Sequence, residues 1–153
     1  MRKLVRGEVG TSTLEFALVL PILILLTVAL LDVARAMNAY VVVGSASQEG
    51  ARYAVVHPTA APSQIASAAR ERVAPLDPAA LTVTPHYYDS AAATFVPWPS
   101  AGIPASSPAT TGVLVRVDVS YPWSAMSAIA ATFFSGGTGT ATIKSGALME
   151  TRR

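Results

Sequence analysis

Gly10-Thr-Ser-Thr-Leu-Glu15-Phe16, with the apolar run from Phe16 to Leu31 behind it, decides the architecture of this chain. The residues between Glu15 and Asp32 carry no charge. At about 1.5 Å per residue they cover roughly 24 Å, a little less than a hydrocarbon core of about 30 Å, and Leu14 and Ala34 extend the span if the two acids are accommodated. A carboxylate at the edge of a membrane helix is costly unless it has a partner or a task, so Glu15 and Asp32 each call for one. Upstream, Arg2, Lys3 and Arg6 stand against Glu8, which puts the N-terminus on the cytoplasmic side by the positive-inside rule. A cut after Gly10 would place the new α-amino group of Thr11 four residues before Glu15, one helical turn away on the same face, where a cation offsets the acid.

A short basic leader ending in glycine, a glutamate at the fifth position past the cut, then Phe16-Ala-Leu-Val-Leu-Pro21 and a leucine-rich run resemble the class III signal of type IV pilins and pseudopilins. The closer resemblance is to TadE-like proteins, the minor pseudopilins of the tight adherence (Flp) pilus machinery. Three further segments share it: Gln48-Glu-Gly-Ala-Arg-Tyr53, the strand ending Val119-Ser-Tyr-Pro122, and Thr140-Ala-Thr-Ile-Lys-Ser-Gly-Ala-Leu-Met149. The likeness covers both ends of the chain and leaves out roughly residues 58 to 111. Major Flp pilins place tyrosine after the glutamate, whereas Phe16 stands here, which favours a minor subunit.

The resemblance implies a protein of the inner membrane, crossing once, with its N-terminus inside and its C-terminal domain periplasmic or extracellular. A prepilin peptidase would cut between Gly10 and Thr11, where a side chain at Gly10 would obstruct its approach to the backbone. Glu15 would then pair with the amino group of Thr11, its own or a neighbour's, during assembly. The helix from Phe16 through Pro21 to Leu31 would serve first against the lipid bilayer and then against other pilin or pseudopilin subunits, on an inner-membrane assembly platform. The organisation that follows is a cytoplasmic leader over 1–10, a membrane and assembly helix over 11–34, and an extracytoplasmic α+β domain over 35–153.

Bulk properties agree with one small domain and an anchor. The chain is 52% hydrophobic and only 13% charged, which is apolar for a soluble protein of 153 residues. The formal net charge of +2 comes from the leader, and the remainder is neutral. No basic face or aromatic-basic platform speaks for nucleic acid. Without cysteine there is neither a disulfide framework nor a thiolate metal site, so stability outside the cell must come from packing or from a filament.

The first helix is expected to run past the membrane, from about Thr13 to Val56, because no proline intervenes until Pro58 except Pro21. That length is on the order of 65 Å. Pro21 removes one backbone hydrogen bond and can kink the helix, a fault that membrane helices tolerate. Val33, Met37, Tyr40, Val41, Gly44, Ala51 and Val55 recur at helical spacing and are expected on the packed face. Pro58 to Pro62 reads as a linker, and Ser63 as the cap of a short helix to Ala74, with Ile65, Ala69 and Val73 on one face and Pro75 as its stop. Leu81 to Tyr88 alternates like a strand that Pro85 confines to an edge. Asp89 to Thr111 reads as a loop around Phe95 and Trp98. From Gly112 the alternation is clearest, with Val113, Val115, Val117, Val119 and Tyr121 on one side and Arg116, Asp118 and Ser120 on the other. A short helix over Trp123 to Phe134, a turn at Gly136 to Gly139 and a last strand over Thr140 to Met149 complete an α+β fold: a long, partly transmembrane helix packed on a small antiparallel sheet, pilin-like in outline.

Two other readings of the N-terminus remain. Ala34-Arg-Ala36 satisfies the small-x-small pattern of a secretory signal cut before Met37, but the run is long for such a signal and Asp32 and Arg35 crowd the site. Alternatively the helix is an unprocessed single-pass membrane anchor that displays a periplasmic binding or scaffold domain. Chemistry has little to stand on. His57 and His86 are isolated, Gly136-Gly-Thr-Gly139 lacks the lysine of a phosphate-binding loop, and no nucleophile elbow or Cys/His pair exists. Asp77, Asp89 and Asp118 lack the spacing of a calcium loop. The expectation is a protein with no catalytic residues, no metal and no cofactor.

Overall fold

The structure, a computed structural model, describes residues 6–103 and 112–151. Expectations that fall on residues 1–5, on 104–111 of the proline-rich loop and on 152–153 lie outside the described residues.

Helix α1 spans Arg6–Val56 and contains Pro21 without interruption. It starts earlier than the apolar pattern alone indicates and stops where expected, two residues before Pro58. The last turn is closed by the His57 amide, which donates to the Tyr53 carbonyl at 2.9 Å, while the His57 ring stacks on Tyr53 at 4.4 Å. Helix α2 covers Pro62–Arg70 and packs across the end of α1. Strands β1 (Thr82–Asp89), β2 (Thr94–Pro97), β3 (Leu114–Ser124) and β4 (Thr140–Glu150) form one sheet in the order β2-β1-β3-β4, every pair antiparallel. Helix α3, Ala128–Ser135, lies between β3 and β4. The fold is the expected α+β arrangement: the C-terminal half of α1 and all of α2 cover one face of the sheet.

The core forms where β3 meets α1. Val113, Val115, Val117 and Val119 are all buried, as their period of two requires, and the inward row continues to Trp123. Facing them are Ala39, Val43, Ala46, Ala51 and Ala54 of α1 and Ile65 of α2. Gly50 shows how close the layers come, for a Cβ there would lie 3.1 Å from Val117 Cγ1 and 3.3 Å from Ala69 Cβ. The packed face of α1 is therefore a stripe of small residues, and this corrects the expected one in part. Ala51 is buried and Val55 packs against the core as expected, but Val33, Met37, Tyr40 and Val41 point outward, Met37 with 67% of its surface exposed. Apolar character at helical spacing marked two faces of α1, and only the slimmer one admits a sheet at this distance.

Other boundaries also shift. The cap of α2 is Ala61, whose amide donates to the Gln64 side chain at 2.9 Å. Ser63 instead supplies a carbonyl to Ser67 Oγ, and the helix ends at Arg70 rather than Ala74. Ile65, Ala69 and Val73 nevertheless share the buried side. β1 is not an edge strand, because β2 pairs with its far half from His86 to Asp89. Pro85 is tolerated there because its carbonyl turns toward the β2 side, accepting from the Trp98 amide at 3.0 Å. Its missing N–H faces the same way, so the ladder with β3 loses nothing. The loop expected over Asp89–Thr111 thus contains a strand, and Trp98 behind it is buried with Nε1 donating to the Ala60 carbonyl at 2.9 Å. Trp123 belongs to β3, and α3 starts five residues later than expected.

Candidate functional site

From Thr11 to Thr27 every side chain of α1 is exposed. Leu14, Phe16, Leu18, Ile22, Leu23, Leu25, Leu26, Leu30 and Leu31 all stand more than half open. Such a surface is far beyond what a soluble monomer presents, and it is apolar on all sides rather than on one. It is a helix long and apolar enough to cross a membrane. Thr11 to Leu31 alone gives about 32 Å, the thickness of a hydrocarbon core. Its polar groups are quieted locally, as when Thr27 Oγ1 donates to the Leu23 carbonyl at 2.8 Å. Gly10 and Thr11 lie in the first turns of α1 and Glu15 one turn further, exposed on the helix surface. Pro21 sits in the middle of the exposed stretch, where it leaves the Ala17 carbonyl without its helical donor.

Asp32 ends this stretch, and it has found a partner that the sequence did not identify. Its carboxylate is only 1% exposed. Oδ2 accepts from the Ser127 amide at 2.7 Å, and Oδ1 accepts from the Met126 amide at 3.0 Å. Arg35, one turn along, donates to Oδ1 at 3.2 Å. An acid at the end of a membrane-length apolar stretch is thereby satisfied by two backbone donors and one cation. Ser127 in turn caps α3, its Oγ accepting from the Ala130 amide at 3.1 Å. Asp32 thus ties α1 to the start of α3, 94 residues away in sequence. The only hint in sequence was that an uncompensated aspartate at a span's edge needs a donor; which donor depended on the return of the chain after β3.

The second polar cluster lies on the outer face of the sheet. Arg116 donates to both oxygens of Asp118, at 2.8 and 3.0 Å, and sits over the Phe95 ring at 5.8 Å. That hydrogen bond first, and the charge of Asp118 second, hold the guanidinium above its ordinary pKa. Gly146 stands opposite, where a Cβ would meet the Asp118 carboxylate at 2.6 Å, so the pair fits because the neighbour has no side chain. His86 Nδ1 is 3.6 Å from Asp118, too far for a hydrogen bond. Asp77 and Asp89 are engaged elsewhere, accepting from the Ala79 and Ala91 amides. Among the described residues no three His, Asp or Glu side chains gather as metal ligands. Gly136 takes the left-handed cap of α3, and the run through Gly139 turns the chain into β4.

A single apolar helix long enough to cross a membrane, continuing into an α+β domain, defines the class of architecture. Residues 10–52 match the model of the family described as TadE-like protein. The match takes in the Gly10–Thr11 bond, the apolar stretch, Asp32 and most of the small-residue stripe, and it stops short of the sheet. No curated protein and no solved structure matches the chain.

Proposed function

We propose that this chain is a minor pseudopilin of a tight adherence (Flp-type) pilus, cut by a prepilin peptidase between Gly10 and Thr11 and taking part in pilus assembly from the inner membrane. The observation that carries this reading is the fully exposed, uncharged helix directly behind Gly10–Thr11 and Glu15, in a segment with TadE-like sequence. Cutting after Gly10 removes the basic leader, whose charges hold the N-terminus in the cytoplasm. The α-amino group of Thr11 then lies one turn from Glu15, and their pairing lowers the cost of both charges in an apolar setting. The same apolar surface that faces lipid in the bilayer is covered by neighbouring subunits' helices when the subunit joins a fibre. The chain's contribution is structural, and no enzymatic step is assigned to it.

The test is the N-terminal mass of the protein from native membranes, with and without the cognate prepilin peptidase. A peptide beginning at Thr11, lost when the peptidase is deleted, is the expected result. An intact N-terminus in both strains would overturn the proposal in favour of a permanent single-pass anchor, and a start at Met37 would mean a secreted domain. Glu15→Ala should leave the cut intact and reduce piliation.

A further inference from the structure

We infer that the end of the sheet domain nearest the span, with α3 at its tip, rests in the interfacial layer of the same bilayer that α1 crosses. The inference rests on the reading of α1 as a membrane helix and goes beyond it to the surface of the domain.

The order of contacts along α1 gives the domain a near end and a far end. Asp32 meets Met126 and Ser127. Three turns further from the apolar stretch, a Cβ on Gly44 would lie 3.8 Å from Ser145 of β4, and further still Gly50 faces Val117 of β3. The β3–α3–β4 connection is therefore at the level where the apolar stretch ends. The opposite end of these strands, where Leu114 pairs with Glu150, is furthest from it.

Charge follows the same axis. No Asp, Glu, Lys or Arg lies between Asp118 and Lys144, which covers the end of β3, all of α3 and the start of β4. Arg116, Asp118, Glu150 and Asp89 sit at or toward the far end, while Lys144, opposite Ser120, is the one charge of β3 and β4 on the near side of Asp118. The charges of α1 at the near end are Asp32 and Arg35, and they are paired with each other. What the near end exposes is apolar: Met126 is 75% exposed, Phe133 84% and Ile129 38%. Ile129 and Phe133 stand at i and i+4 on one side of α3, while Ala130 on the other side is buried against the domain.

Lipid is the occupant these observations select. The patch stands at the level of Leu30 and Leu31 of the exposed stretch, because Asp32, the next residue along α1, binds the Met126 amide. It is therefore held at the depth where the span emerges. A helix with an apolar outer side at that depth lies in the headgroup and upper acyl region.

The chain has no cysteine, so single labels can be placed without background. The full chain carrying Phe133→Cys, Met126→Cys, Leu25→Cys or Glu71→Cys is spin-labelled, reconstituted into phosphatidylcholine–phosphatidylglycerol vesicles, and assayed for collision with oxygen and with a water-soluble nickel chelate. The labels at 133 and 126 should favour oxygen, as the label at 25 does, while the label at 71 favours the chelate. If 25 favours oxygen and both 133 and 126 favour the chelate, α1 spans and the inference fails. If 25 itself favours the chelate, the membrane reading of α1 fails and takes the inference with it. Low collision with both reagents at 133, with dipolar broadening that vanishes on dilution with unlabelled protein, would put a second copy on the patch and overturn the inference.

Discussion

The two halves of α1 belong to one unbroken helix and end in opposite surroundings. From Thr11 to Thr27 large aliphatic side chains project on every side and are all exposed. From Asp32 to Ala54 alanine, glycine and serine form one stripe that is buried against a sheet, while Met37, Tyr40 and Val41 on the other side remain open. Charge separates the halves in part, since none lies between Glu15 and Asp32 while Arg35, Glu49 and Arg52 follow. Side-chain size separates them further, because a sheet reaches a helix only where the helix is slim enough to let it, whereas lipid needs no complementary shape.

Perturbations should therefore sort by half. Trp98 and Trp123 are the only tryptophans and both are buried in the sheet domain, so their fluorescence during urea unfolding follows the packed half alone. The largest expected effect is Ile65→Ala beneath the small-residue stripe, a loss of about 2–5 kcal/mol with membrane insertion unchanged. Leu25→Arg should do the reverse, costing about 2.5–3.5 kcal/mol in an insertion assay and leaving the unfolding curve of the domain in place. Gly50→Leu would force a side chain into the gap against Val117 and Ala69 and is expected to cost about 1–3 kcal/mol of domain stability. Ser127→Ala removes the α3 cap that Asp32 supports, for about 1 kcal/mol in the same measurement. Smallest of all, Met37→Gln should change domain stability by less than about 0.5 kcal/mol. A large loss in that last variant would mean that the outward face of α1 is packed after all, and the comparison between the halves would collapse.

Much of this was legible in the sequence, and the parts that were not share a cause. The continuity of α1 to Val56 followed from the lack of proline between Pro21 and Pro58, and the inward row of β3 from strict alternation, because both depend on neighbours within a few residues. The strand Thr94–Pro97 carries no mark in the sequence, since a four-residue element framed by alanine and proline exists only through its pairing with β1. Pro85 by itself points to an edge, but a missing N–H excludes a strand from the interior only if it points at the partner that needs it. Of the candidate site, the span, Gly10–Thr11 and Glu15 were visible as a pattern, and Asp32 was visible as a problem without its solution.

What the sequence by itself determined was a chain with one membrane-length helix, its leading end basic, and a following α+β domain with one unmistakable core strand. Those properties are sums or periods over adjacent residues. Tertiary structure alone decided which of two apolar faces on α1 meets the sheet, that the Asp32 carboxylate is satisfied by the amides of Met126 and Ser127, and that the uncharged end of the domain stands beside the span. Each of these joins residues far apart in the chain, where the outcome rests on how closely two surfaces can approach and which donors arrive there, and no local pattern encodes that distance.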